Sequence, residues 1–158
     1  MKNKYRFIIC ILLGIEIISI YIMILQQNGI KTWKKSAEKN LGLFMLMNQW
    51  TRIKQEGKSL ETYFINNNYR RIAVYGMSYI GLRFVREIKD SEIEIAYGID
   101  KRASVMSSGM KLFTVENDLP DVDAVVVTLL AEFDEVYEAI SNKVSCPIIA
   151  IEDIINET

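Results

Sequence analysis

The chain has 158 residues, half of them hydrophobic, with a net charge of −1, two cysteines and no histidine, so it can bury one domain-sized core and something extra. The charge divides unevenly: residues 1–58 hold ten Lys/Arg against three acids, +7, and residues 59–158 hold nine against seventeen, −8. A basic front and an acidic body suit a membrane-proximal segment followed by a soluble domain, not a nucleic-acid binder; Cys10 and Cys146, far apart and without histidine, indicate no metal site or disulfide framework.

Residues 7–25 hold thirteen Ile, Leu or Phe in nineteen positions. At 1.5 Å per residue they reach about 28 Å, close to the ~30 Å hydrocarbon core of a bilayer. Glu16 sits near the middle, where an acid costs roughly 2.5–3.5 kcal/mol, less than the roughly 4–8 kcal/mol gained from the apolar residues. No alanine occurs before Ala37, so the small-residue cleavage site of a signal peptide is missing. The expectation is a retained single-pass anchor within residues 1–29. Lys31, Lys34, Lys35 and Lys39 after the span slightly outnumber Lys2, Lys4 and Arg6 before it, which favours a cytoplasmic C-terminal side at the cell membrane. Glu16 reads either as a group that pairs with a partner helix or as a tolerated acid in a strongly apolar span.

Residues 30–68 read as juxtamembrane helices. Ser36 can cap a helix over 37–56 that Gly57 ends, with an apolar stripe through Leu41, Phe44, Met45, Met47, Trp50 and Ile53. That stripe can pack on the following domain, lie on the bilayer or meet a partner. A short helix over 60–65 then stops at Asn66-Asn67-Asn68.

Residues 69–158 form the expected folded domain. The run 72–75 is a strand that stops at Gly76, and Leu82, Phe84, Val85 and Ile88 follow at helical spacing. A second strand over 93–99 ends on Asp100, 24 residues beyond Gly76. Strand, glycine turn, helix, strand and terminal acid make up the first half of a dinucleotide-binding unit. In Gly76-Met77-Ser78-Tyr79-Ile80-Gly81, Gly76 permits the sharp turn and Gly81 a close helix–sheet approach. The backbone N–H groups between them face an incoming anion, aided by the helix dipole. Ser78 stands where the motif has its middle glycine; its hydroxyl can reach a phosphate oxygen, or its bulk can narrow the slot. Asp100 is placed to accept from a ribose diol, while Lys101 and Arg102 can meet a 2′-phosphate; the bland alternative is a solvated turn.

Tyr97 and Lys101 also spell the Y-x-x-x-K dyad of short-chain dehydrogenases, but that dyad needs one helical face and these residues straddle a strand end. No catalytic constellation is visible. A weak strand over 110–115, a β-branched run over 124–130 and a strand over 147–151 complete five strands. A helix over 132–143, with Phe133, Val136, Tyr137 and Ile140 inward, joins the last two, and 152–155 add a final turn. The expected fold is α/β: a Rossmann-like parallel five-stranded sheet in the order 3-2-1-4-5. The crevice then lies between the first and fourth strands, with Thr128 and Leu129 beside the glycine turn.

Ile72 to Gly81, Tyr97 to Lys101 and Asp123 to Thr128 together resemble small Rossmann-like domains. These are the nucleotide-binding halves of nucleoside-diphosphate-sugar epimerases and the N-terminal domains of sugar acyltransferases, as found in bacterial surface-polysaccharide loci. The resemblance covers roughly residues 60–156. It implies NAD, NADP or a nucleotide-sugar as ligand and no metal. The matching positions are Gly76, Ser78, Gly81 and Asp100, with Met77, Tyr79, Ile80, Lys101 and Thr128 around them. It also implies a glycosyltransferase or other polysaccharide-assembly protein as partner. Three expectations stand together: a membrane-tethered binding module, an epimerase- or dehydrogenase-type enzyme completed by a partner or homodimer, and a ligand-free scaffold in which Met77 and Ser78 block the slot.

Overall fold

A computed structural model describes residues 2–101 and 110–158, with side chains from Leu13 onwards. The chain divides into two compact units, Met1–Leu41 and Gly42–Thr158. Helix α1, Lys2–Gln55, runs unbroken through the boundary. The helix start expected at Ser36 is therefore absent. Between residues 26 and 36 there is one glycine and no proline, and a lone glycine costs a helix only about 1 kcal/mol. In the first unit the side chains from Leu13 to Leu25 are exposed around the helix, apart from half-buried Gly14. From Leu13 onward the helix is long and apolar enough to cross a membrane.

The second unit is a mixed α/β domain. Its elements are the end of α1, then α2 (Glu61–Asn66), β1 (Arg71–Tyr75), α3 (Tyr79–Ile88), β2 (Glu94–Ile99), β3 (Leu112–Phe113), β4 (Ala124–Val127), α4 (Phe133–Ile140), β5 (Ile148–Ala150) and α5 (Ile151–Glu157). All four strand pairs are parallel, and the order is β3-β2-β1-β4-β5, as the strand pattern of the sequence predicts. Both early helices end in the same way. Gly57 (φ 71°) and Asn68 (φ 60°) take left-handed conformations. The next N–H, of Lys58 or Tyr69, returns to the carbonyl of Ile53 or Phe64. This is the Schellman closure that lets the chain leave a helix with its last carbonyls paired.

Two apolar layers sandwich the sheet. Ile72, Val74, Ala124 and Val126 face one layer with Leu46, Trp50 and Ile53 of α1, Phe64, Phe84, Ile88, Ile154 and Ile155. Ala73, Tyr75, Val125 and Val127 face the other, with Val136 and Ile140 of α4. The stripe expected on residues 37–56 thus splits: Trp50 and Ile53 enter the core, whereas Leu41, Phe44 and Met45 stay exposed. Lys54 adds an ion pair to Glu87 of α3 at 2.5 Å. Tyr137, expected inward, is about half exposed. In so short a helix Val136 and Ile140 supply the contact, and the Tyr137 ring lies over Phe133 at its edge, centroids 6.2 Å apart.

Strand β2 contains one extra residue. Ile72 pairs with Ile95 but Ala73 pairs with Tyr97, leaving Ala96 bulged. Side chains alternate along a strand, and the bulged residue is skipped in that alternation, so Ile95 and Tyr97 behave as neighbours on opposite faces. Ile95 accordingly packs on the α3 layer, whereas Tyr97 and Ile99 pack on the α4 layer. Gly98 and Asp100 are thereby turned toward α3: a Cβ on Gly98 would lie 3.1 Å from the Met77 sulfur.

Two measurements check this packing. Leu46, Trp50 and Ile53 are each under 7% exposed, and burying such side chains contributes about 1.5–3 kcal/mol apiece. Their loss approaches the roughly 5–15 kcal/mol of a whole domain. A fragment of residues 42–158 is therefore expected to unfold cooperatively, and one starting at residue 59 to show a strongly lowered or absent transition by circular dichroism. The second concerns Tyr97, whose hydroxyl donates to the Pro120 carbonyl at 2.7 Å. Burial pushes this hydroxyl up to about 12, the nearby Cys146 adding to the effect. The folded state keeps a proton that the unfolded chain releases near pH 10, so stability present below that pH is lost between about 10 and 12. Tyr97→Phe is expected to flatten that part of the stability–pH curve.

Candidate functional site

The candidate site forms where β1 ends. Gly76 has φ 94°, in the region that favours glycine. A Cβ there would also approach Leu129 Cγ to 2.9 Å and Thr128 Oγ1 to 3.0 Å. Gly81, in the first turn of α3, is held for a different reason. A Cβ on it would lie 2.0 Å from the Gly76 carbonyl oxygen, so only glycine lets the helix sit this close to the turn. Ser78 is the N-cap residue in extended conformation, but its hydroxyl caps no backbone N–H. The first helical amides of α3 thus open onto the turn without a side-chain cap.

Side chains close the turn from both neighbouring strands. From β2, the Asp100 carboxylate accepts the Met77 N–H at 2.9 Å and is only 8% exposed. From β4, the Thr128 hydroxyl donates to the Gly76 carbonyl at 2.5 Å, with the Tyr75 carbonyl at 3.1 Å. Thr128 is 1% exposed, so its hydroxyl serves the turn rather than the crevice. Met77 is likewise buried, its side chain in the α3 layer. It does not fill the slot, as a blocked site would require; only its backbone lies at the turn. Ile80 is also in that core layer, whereas Tyr79 is 87% exposed on the outer face.

A hollow of about 300 Å³ lies over the turn, lined by Tyr75, Gly76, Ser78, Asp100, Lys101, Leu129 and Glu132. A second, of about 290 Å³, lies beside it against Lys101, Val115, Glu116, Glu135, Val136 and Ala139, with Tyr75 in both walls. Of the sequence-predicted residues, Gly76, Ser78, Asp100 and Lys101 come together at the first hollow; Gly81 supports it from behind. Arg102 lies outside the described residues. Sequence reasoning missed Tyr75 and Glu132. Tyr75 could have been found from strand parity, since its neighbour Val74 faces the opposite layer. Glu132 precedes α4 as an acid at a helix start, a common solvated position with no distinguishing signal.

The electrostatics of the crevice are mainly acidic. Burial first, and then the negative charges of Asp100, Glu132 and Glu116, raise the Tyr75 hydroxyl above the ordinary tyrosine value. Among the described residues, Lys101 is the cation in both walls. Among the described residues no group of His, Cys, Asp and Glu is arranged to hold a metal ion. Tyr97, on the α4 face of β2 with its hydroxyl on Pro120, does not share a helical face with Lys101. Among the described residues the turn offers helix amides without a side-chain cap, a carboxylate and an ammonium.

Compared with known proteins, the chain matches no protein-family model, no curated protein and no solved structure.

Asp100→Ala leaves the Met77 N–H buried without its acceptor, which costs about 1–3 kcal/mol. Chemical denaturation is expected to show that loss for Asp100→Ala, and most of it recovered in Asp100→Asn, whose amide oxygen can still accept.

Proposed function

We propose that this protein is a membrane-tethered, Rossmann-like module that binds a nucleotide or nucleotide-sugar over the glycine turn. The observation carrying the reading is the hollow beside β1 and β4, with Gly76 and the uncapped start of α3 on one side and Asp100 on the other. In parallel α/β sheets, ligands bind at the carboxyl ends of strands where the order reverses, and here β1 lies between β2 and β4. A phosphate group suits the Ser78 end, where helix amides point outward. A sugar diol suits the Asp100 end, because the carboxylate attracts hydroxyls and repels phosphate. The two adjoining hollows, about 290 and 300 Å³, each sit at the small end of ligand sites. They favour a nucleotide or nucleotide-sugar over a fully enclosed dinucleotide such as NAD or NADP.

The apolar span over residues 7–25 supplies the tether, and the lysines after it favour a cytoplasmic domain, where nucleotide-sugars are made and used. Service to a glycosyltransferase or other polysaccharide-assembly protein rests on the resemblance carried by residues 72–81, 97–101 and 123–128. An epimerase- or dehydrogenase-type enzyme requires reacting side chains from another chain. One observation favours a ligand-free scaffold instead: Asp100 already holds the Met77 amide, and Thr128 the Gly76 carbonyl, so the turn is partly satisfied by the protein itself.

Calorimetric titration of residues 42–158 with UDP-sugars, NAD, NADP and coenzyme A separates these readings. Binding of a UDP-sugar is expected, weakened by about 1–3 kcal/mol in Asp100→Asn, the scale of a hydrogen bond to a charged group. Silence across the panel from a folded fragment would favour the scaffold.

A further inference from the structure

The groove between the end of α1 and α3 gathers positive charge on an acidic domain. Both stretches belong to the second unit, whose residues 42–158 hold twelve Lys/Arg against eighteen Asp/Glu, 12 − 18 = −6. Met47, Trp50 and Lys54 follow at helical spacing along α1, as Arg83, Arg86 and Glu87 do along α3. With Thr51 they line a hollow of about 290 Å³. It shares no residue with the two hollows at the glycine turn.

Some donors in this hollow are already used. Lys54 is held by Glu87 at 2.5 Å, and the Thr51 hydroxyl donates to the Met47 carbonyl at 2.8 Å. Arg83 and Arg86, both exposed, form no hydrogen bond or ion pair among the described residues. Arg52, Arg70 and Arg71 each hold a glutamate. Three residues apart on one helix, the two guanidinium groups repel each other. The indole N–H of Trp50 also has no partner among the described residues. Trp50 is only 5% exposed, yet no fully buried side-chain nitrogen there lacks a partner, so this N–H keeps an opening to the surface.

The walls define the complementary ligand. Lys54, Arg83 and Arg86 against Glu87 give 3 − 1 = +2. A carboxylate neutralises half of that. A phosphate monoester, whose second pKa is about 6, neutralises all of it and brings three acceptor oxygens. Guanidinium forks match those oxygens in pairs. A bare phosphate leaves the apolar wall of Met47 and Trp50 uncovered, and the volume, at the small end of ligand sites, suits a small organic group.

We propose that this hollow binds a small soluble phosphate monoester. Arg83 and Arg86 grip its oxygens, the Trp50 N–H donates to one of them, and its organic group lies against Met47 and the indole. Bound there, the anion removes the repulsion between the arginines and ties α3 to the end of α1 beside the Lys54–Glu87 pair.

The test uses the full chain in non-ionic detergent at fixed ionic strength, at about pH 8, where a phosphate monoester is dianionic. Trp33, 79% exposed, is changed by Trp33→Phe so that Trp50 is the one indole left. Phenyl phosphate is the probe and benzenesulfonate, a monoanion of similar shape, its comparison; binding is read by Trp50 emission and by calorimetry. Saturable binding of phenyl phosphate is expected, at least tenfold tighter than benzenesulfonate. Arg83→Gln and Arg86→Gln are each expected to weaken it at least tenfold with the thermal transition unchanged. Lys89→Gln, an exposed cation just past α3 and outside the hollow, is expected to leave it unaltered. No saturable binding by either readout, equal affinity for the two probes, or an equal loss in Lys89→Gln would each overturn the site. Binding that survives Arg83→Gln and Arg86→Gln together would also overturn it, and would place the phosphate elsewhere, as at the glycine turn.

Discussion

The domain depends on one close approach of backbone to backbone. The start of α3 lies against the turn that ends β1 so tightly that a methyl group at Gly81 would overlap the Gly76 carbonyl. This contact sets the distance between α3 and the sheet, and with it the position of Ile80, Phe84 and Ile88 in the core layer. The same contact brings the first amides of α3 up to the carboxyl end of β1. The packing of α3 and the shape of the proposed binding site therefore draw on a single constraint. A wider gap would empty the core layer and also remove the crevice floor.

Closeness creates a polar problem that the neighbouring strands solve. A chain leaving a strand and entering a helix strands an N–H and a carbonyl away from water. Asp100 takes the N–H of Met77, and Thr128 takes the carbonyl of Gly76. Each comes from the residue that directly follows a strand paired with β1. The turn is thus braced from both sides. The bracing also shapes what can bind: with a carboxylate on the Met77 amide, negative charge is welcome only toward Ser78.

Much of this was legible in the sequence. Five apolar runs separated by turns gave the strands, and the Gly76–Gly81 spacing located the crevice, because both signals are local. Gly57 and the Asn66-Asn67-Asn68 run marked helix ends for the same reason. Three features escaped. The unbroken α1 depends on a lone glycine being tolerated, where Ser36 offered a plausible but unused cap. The inward turn of Thr128 depends on carbonyls 52 and 53 residues away in sequence. The bulge at Ala96 appears only when β2 is paired with β1, since the run Ile93-Glu94-Ile95-Ala96-Tyr97 contains nothing that a regular strand would avoid.

That bulge lets β2 absorb one residue without moving the acid. Ile95 and Asp100 are five positions apart, an odd number that in a regular strand would put them on opposite faces; skipping Ala96 brings both to the α3 side. A chain one residue shorter between them needs no bulge, since four positions of regular alternation deliver the carboxylate to the same side. A chain that lost a residue and kept the bulge would instead turn the carboxylate toward Val136, Ile140 and the α4 layer. The spare residue is thus a buffer: length can change by one here and leave the turn braced.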